Sequence, residues 1–182
     1  MLWIIAGVIV VVIAVWAISV HNKLVGVDEL CGNALSQIGV QLTSRWDALT
    51  ALADLTKGYS DHEYNAMVGI MGARQGVGPK SSAADVQQQE DLISQMAARI
   101  MAVAEAYPEL KANTIYLQTM DSVKDYEENV RMSRMVYNDT VTKFNRMVRV
   151  FPDSVVAAVF GFRQRGYLQM EAQKAAMPSM AR

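Results

Sequence analysis

Three charged side chains interrupt stripes of otherwise apolar residues, and they are the first candidates for chemistry in this chain. Arg45 breaks a run in which Cys31, Leu35, Ile38, Leu42, Leu49 and Leu52 recur at helical steps. Glu127 and Arg134 lie on a second run: Met120, Val123, Glu127, Val130, Arg134, Tyr137, Val141, Phe144, Val148 and Phe151, with every step three or four residues. A charge on such a stripe faces other helices and needs an opposite charge or a set of hydrogen bonds. Glu127 and Arg134 stand too far apart along one helix to pair directly. The spacing therefore predicts that Arg45 meets Glu127 across two helices, with Asn138 or Asn145 completing a polar layer. Layers of this kind set register between helices rather than perform a reaction. A buried Glu127 would cost about 3–5 kcal/mol to truncate.

The remaining reactive residue types are few and poorly placed. His62-Glu63 opens like a zinc-protease H-E-x-x-H, but Ala66 stands where the second histidine belongs. Neither His21 nor His62 has a glutamate three residues before it, so the Glu-x-x-His motif of di-metal bundles is missing. Gly76-Val77-Gly78-Pro79 lacks the preceding strand of a nucleotide-binding turn, and there is no G-x-S-x-G or Walker loop. Cys31 is the single cysteine, which excludes an intramolecular disulfide, and its place on a stripe reads as a packed thiol. The 12 methionines follow the apolar stripes and fill a core rather than bind copper. Seventeen basic and 18 acidic residues leave a net charge of −1, which steers nothing toward nucleic acid. No catalytic residue, metal ligand set, cofactor or small-molecule substrate is predicted. The chain reads as a protein that is not an enzyme.

These residues must be positioned by helices, because alternating strand patterns and hairpin dipeptides do not recur. The first helix begins in an unusual segment: Met1 to Val20 carries no charged side chain. At 1.5 Å per residue such a run covers roughly 30 Å, the thickness of a bilayer's hydrocarbon core. Leu2 and Val20 bound the apolar stretch, and Trp3 and Trp16 sit near its ends, where amphipathic rings favour the membrane interface. A cleavable signal would need a basic leader and a shorter apolar run, so the segment reads as an uncleaved anchor. Lys23, just behind it, leans toward a cytoplasmic domain by the positive-inside rule.

No proline lies before Lys57, so anchor and first helix form one rod, with Gly26 its most flexible point. Ser60-Asp61-His62-Glu63 reads as a capping box opening a second helix to about Arg74. Gly76 to Ser82 is a loop, and Ile93, Met96, Ile100, Val103 and Tyr107 stripe a third helix that Pro108 ends. The Met120–Phe151 run makes the fourth, closed by Pro152. The fold class is all-α: an N-terminal transmembrane helix continuing into an antiparallel four-helix bundle of long helices, with a short C-terminal helix. The expected divisions are an anchor at 1–20, a bundle at 21–167 and a fraying tail at 168–182. Helices one and four would extend roughly 50 Å from the membrane, as a stalk. The C-terminal piece, Val155 to about Tyr167, is expected to pack back onto the bundle rather than lie on lipid as a basic amphipathic helix.

Several phrases of the chain resemble the LemA family of bacterial membrane proteins. They are Ser36-Gln37-Ile38 with Val40-Gln41-Leu42 and Arg45, Lys57-Gly58-Tyr59 with His62-Glu63, and Ala73-Arg74. Ala104-Glu105-Ala106-Tyr107-Pro108-Glu109-Leu110-Lys111-Ala112-Asn113 resembles that family almost word for word, as do Glu127, Arg134, Tyr137-Asn138, Phe144-Asn145, Phe151-Pro152 and Phe160-Gly161-Phe162. The resemblance implies a membrane helix followed by an antiparallel bundle, and it supplies no reaction, catalytic residue or cofactor. Family members have been linked with membrane organisation. Gly39 stands where the family usually has Asp, and Ser44 where it has a basic residue. Leu49-Thr50-Ala51-Leu52 replaces a proline-containing phrase, which implies a straighter first helix here.

The expected role is a non-enzymatic scaffold on the bacterial inner membrane, single-pass, with the bilayer as one partner. A second copy of the chain or another membrane protein would be the other. The alternative is a signalling or regulatory module that relays a shift along the anchor-to-bundle rod.

Overall fold

The computed structural model of the chain describes residues 1–168. The expected fraying tail at 168–182 falls outside the described residues apart from Leu168, which is buried. Helix α1, Leu2–Thr56, runs for 55 residues without a break, about 80 Å at the standard rise. It passes straight through Gly26, because nothing interrupts its hydrogen-bond ladder there and no proline intervenes. Residues 2–15 are exposed along their whole length, and the helix is long and apolar enough to cross a membrane. From Val20 onward one face turns inward: Leu24, Cys31, Leu35, Ile38, Leu42, Trp46, Leu49 and Leu52 are buried.

Helix α2, Asp61–Met71, returns along α1; Tyr64 bonds Asp54 and Arg74 bonds Asp47. Helix α3, Ala83–Ala106, runs parallel to α1. Pro108 forces Tyr107 into an extended conformation and ends α3. A single turn, α4 (Pro108–Lys111), then leads into α5, Thr114–Arg149. Helix α5 descends antiparallel to α1 and packs on it more extensively than any other pair. Tyr116, Val123, Val130, Tyr137 and Phe144, each seven residues from the next, are all buried, the seam of a shallow-angle helix pair. Helices α1, α2, α3 and α5 thus form the antiparallel four-helix bundle.

Three local expectations are corrected. The reciprocal capping box is not at Ser60: its hydroxyl accepts from Glu63 N, but the Glu63 carboxylate is drawn to Arg99 at 2.9 Å. The full box opens α3 instead, where Ser82 and Asp85 satisfy each other's backbone N–H. The stripe on helix four stops short of Phe151, which is exposed beyond the end of α5 because the chain turns at Pro152. The C-terminal helix, α6 (Asp153–Val159), is shorter than the expected piece to Tyr167. Gly161 takes a left-handed φ of 76°, which a side chain would resist, and turns the chain out of the helix.

The α2–α3 loop lies flat on α1 because two glycines leave room. A Cβ on Gly39 would fall 2.0 Å from the Val77 carbonyl oxygen, and one on Gly32 would fall 3.2 Å from Pro79 Cβ. The Gly39 that departs from the family pattern is therefore the contact point of this loop.

Candidate functional site

Helices α3 and α5 both pack on α1 but barely approach each other. The gap between them is a groove of about 620 Å³, lined by Arg45 of α1, Glu90 and Ser94 of α3, and Glu127, Arg131 and Arg134 of α5 among others. Two ion pairs cross it. Arg45 Nη2 donates to Glu127 Oε2 at 3.0 Å, the partnership expected from the stripes. Arg134 Nη1 donates to Glu90 Oε2 at 2.6 Å, joining α5 to α3 where their backbones stay apart.

Burial separates the two pairs. The Arg134 and Glu90 side chains are 8% and 9% exposed, so both charges are out of bulk water. Arg45 is buried, but Glu127 is 48% exposed at the mouth of the groove. The condition set on Glu127, full burial, is not met, because its carboxylate sits at the outer edge of α5. Three buried guanidinium nitrogens, Arg45 Nε and Arg134 Nε and Nη2, have no acceptor among the described residues. The groove is thus rich in donors.

Asn138 and Asn145 do not join this layer. They face the segment that follows α6 and grip its backbone. Asn145 donates to the Arg165 carbonyl at 2.9 Å and accepts from the Arg165 N–H at 2.8 Å. Asn138 does the same with Leu168, at 2.8 and 2.9 Å. Tyr137 Oη donates to the Gly166 carbonyl between them. The registers match: seven helical residues rise about 10.5 Å, and three extended residues span about 10 Å. The asparagines were legible on the stripe's shoulder. Their partner was not, since nothing local in 162–168 marks it as a docked extended segment.

Arg165 adds a side-chain tie to this clamp, donating from Nε to Asp28 Oδ1 of α1 at 2.7 Å. That hydrogen bond pushes the Arg165 pKa above its ordinary value. Burial raises the Tyr137 hydroxyl, against a smaller downward pull from Arg165. Burial also pushes the Cys31 thiol up, with Arg165 lowering it and Asp28 raising it by smaller amounts. A raised thiol pKa means little thiolate near neutrality, so Cys31 is a packing group and a poor nucleophile.

Glu90 is the site residue that sequence reasoning missed. It stands in a polar run, Gln87-Gln88-Gln89-Glu90-Asp91, that reads as solvated surface. Yet it falls four residues after buried Val86 and three before buried Ile93, so extending the α3 stripe backward would have found it. Among the described residues, no three His, Cys, Asp or Glu side chains gather as metal ligands.

The fold and its ion pairs define an all-α bundle built around one long helix whose first turns are apolar and uncovered. The chain belongs to the LemA family, which matches it over residues 34–181. It is also similar to two magnetosome proteins of Paramagnetospirillum magneticum (strain ATCC 700264 / AMB-1), MamQ 2 and MamQ 1. Each is 30% identical over 71 residues, 39% of this chain and 26% of the relative. The chain spans about a quarter of the length of these curated relatives.

Proposed function

We propose that the protein is a non-enzymatic scaffold, held in the bacterial inner membrane by Leu2–Val20, that organises the membrane by associating with further copies of itself or with another membrane protein. The observation that carries this reading is α1 itself. Its exposed apolar start and the central member of the bundle are one helix, so whatever the bundle binds is tied rigidly to lipid. Met132, Met135 and Val136 share an exposed face of α5 by their three- and four-residue spacing, and give the bundle an apolar patch to dock with. Many weak contacts of this kind add up when each partner is fixed to the same bilayer.

A cytoplasmic bundle is supported by charge. Sequence proximity put only Lys23 beside the span, whereas the fold adds Arg146 and Arg149 in the last turn of α5 and Arg163 after α6. The anionic cytoplasmic leaflet attracts such residues. Crosslinking of the full-length protein in native membranes should return adducts of two or more chains or one defined partner. Monomer alone would refute the scaffold.

The continuity of α1 through Gly26 favours a second reading, in which the rod relays a shift across the membrane. Gly26→Ala removes the flexible point and meets no neighbouring atom within 4 Å. A scaffold tolerates that change; a relay changes its output.

A further inference from the structure

We propose that α6 and the residues flanking it form a second lipid contact, a collar lying in the membrane interface beside the point where α1 leaves the bilayer. The proposal rests on reading Leu2–Val20 as the span, and the experiment below tests the two separately. The position of α6 is fixed by α1. The two helices pack together, and Trp16, Ala17 and Val20, at the end of the apolar run, lose exposure to the core. The His21 ring lies 4.3 Å from that of Phe160 and 5.7 Å from that of Phe162. From Trp16 to His21 the helix rises about 7.5 Å, within the roughly 5–10 Å depth at which interfacial helices bury their apolar faces.

At that level the two sides of α6 differ. Val156 and Ala157 are buried against the bundle. Facing outward are Val150, Phe151, Val155, Val159 and Phe160, with Phe151 78% and Val159 75% exposed. Large apolar side chains this close in sequence form a patch that a soluble surface rarely carries. The charges around it suit anionic headgroups. Lys23, Arg146, Arg149 and Arg163 are exposed, against Glu29 and Asp153, while Asp28 is taken by Arg165. Continuity with the span decides the occupant: the same bilayer that takes Val15 and Trp16 lies beside α6. Packing onto the bundle and contact with lipid, alternatives from sequence alone, are in this geometry two faces of one short helix.

The test uses the full-length protein in vesicles of phosphatidylethanolamine and phosphatidylglycerol, with a nitroxide placed in turn at Val155→Cys, Val159→Cys, Val10→Cys and Leu117→Cys. Cys31 is fully buried and does not compete for the label. Accessibility to oxygen, which concentrates in lipid, is compared with accessibility to a water-soluble nickel chelate. The collar predicts that 155 and 159 favour oxygen, at values between those of the span position 10 and the aqueous position 117. Aqueous values at 155 and 159 with lipid values at 10 overturn the collar and leave the anchor standing. Exclusion of both reagents at 155 and 159 means a second copy covers the patch, which also overturns it. Aqueous values at 10 as well would remove the anchor and the collar together.

Discussion

Glu90→Ala isolates the most buried charge in the bundle. It leaves the Arg134 guanidinium, 8% exposed, without the carboxylate it holds at 2.6 Å, and two of its other nitrogens already lack an acceptor. Removing one partner of a buried pair typically costs 3–5 kcal/mol, since the remaining charge stays desolvated and unpaired. The groove beside Arg134 has room for water, which places the cost here at the lower end, about 3 kcal/mol. For a chain of this length that lowers the melting midpoint by about 10 °C. Far-UV circular dichroism of the full-length protein in detergent reads it directly. Replacing both partners, Glu90→Leu with Arg134→Met, should return stability to within about 1 kcal/mol of the parent, because neither charge then needs solvating. A loss under 1 kcal/mol for Glu90→Ala, or a double variant no more stable than the single, would show that the pair is hydrated and the burial argument wrong.

Glu127→Ala should cost only about 1–2 kcal/mol in the same melt, between exposed and buried pairs, since its carboxylate is half in solvent. Gly39→Ala drives a methyl into the Val77 carbonyl and should cost about 2 kcal/mol or displace the loop. Gly26→Ala, in open space mid-helix, should stabilise by about 0.5–1 kcal/mol, a contrast of sign that one pair of melts decides. Asn145→Ala strips both backbone bonds from Arg165 and should cost about 2 kcal/mol, with limited proteolysis showing new cleavage between 162 and 168. Cys31 should resist a maleimide at pH 7 in the folded protein and label fully on unfolding, as its burial and raised pKa require.

The helices and the Arg45–Glu127 contact could be read from the chain because both follow from periodicity, which is a local property. A stripe tells which residues face inward, and two opposite charges on facing stripes have few other places to go. Arg134 shows the limit. Its inward position was legible, but its partner depended on how far α3 stands from α5, and that distance is set by α1 beneath them both. The asparagines show another: each stands one residue past a stripe position, which turns it away from the polar layer, and amides two turns apart suit a peptide backbone. Ser60 and Glu63 have the spacing of a reciprocal cap, yet Arg99 offers that carboxylate a full charge. In each case a tertiary neighbour outbid a local rule.

The grip of Asn138 and Asn145 has a consequence for how this region changes over time. The backbone bonds made by these two amides are blind to side-chain identity, so that part of the grip reads the pitch and length of the extended segment. Gln164, whose side chain is exposed, can drift, whereas Tyr167 is tied to Thr142 and Asn145, and inserting a single residue between Arg165 and Leu168 would throw the two attachment points out of step.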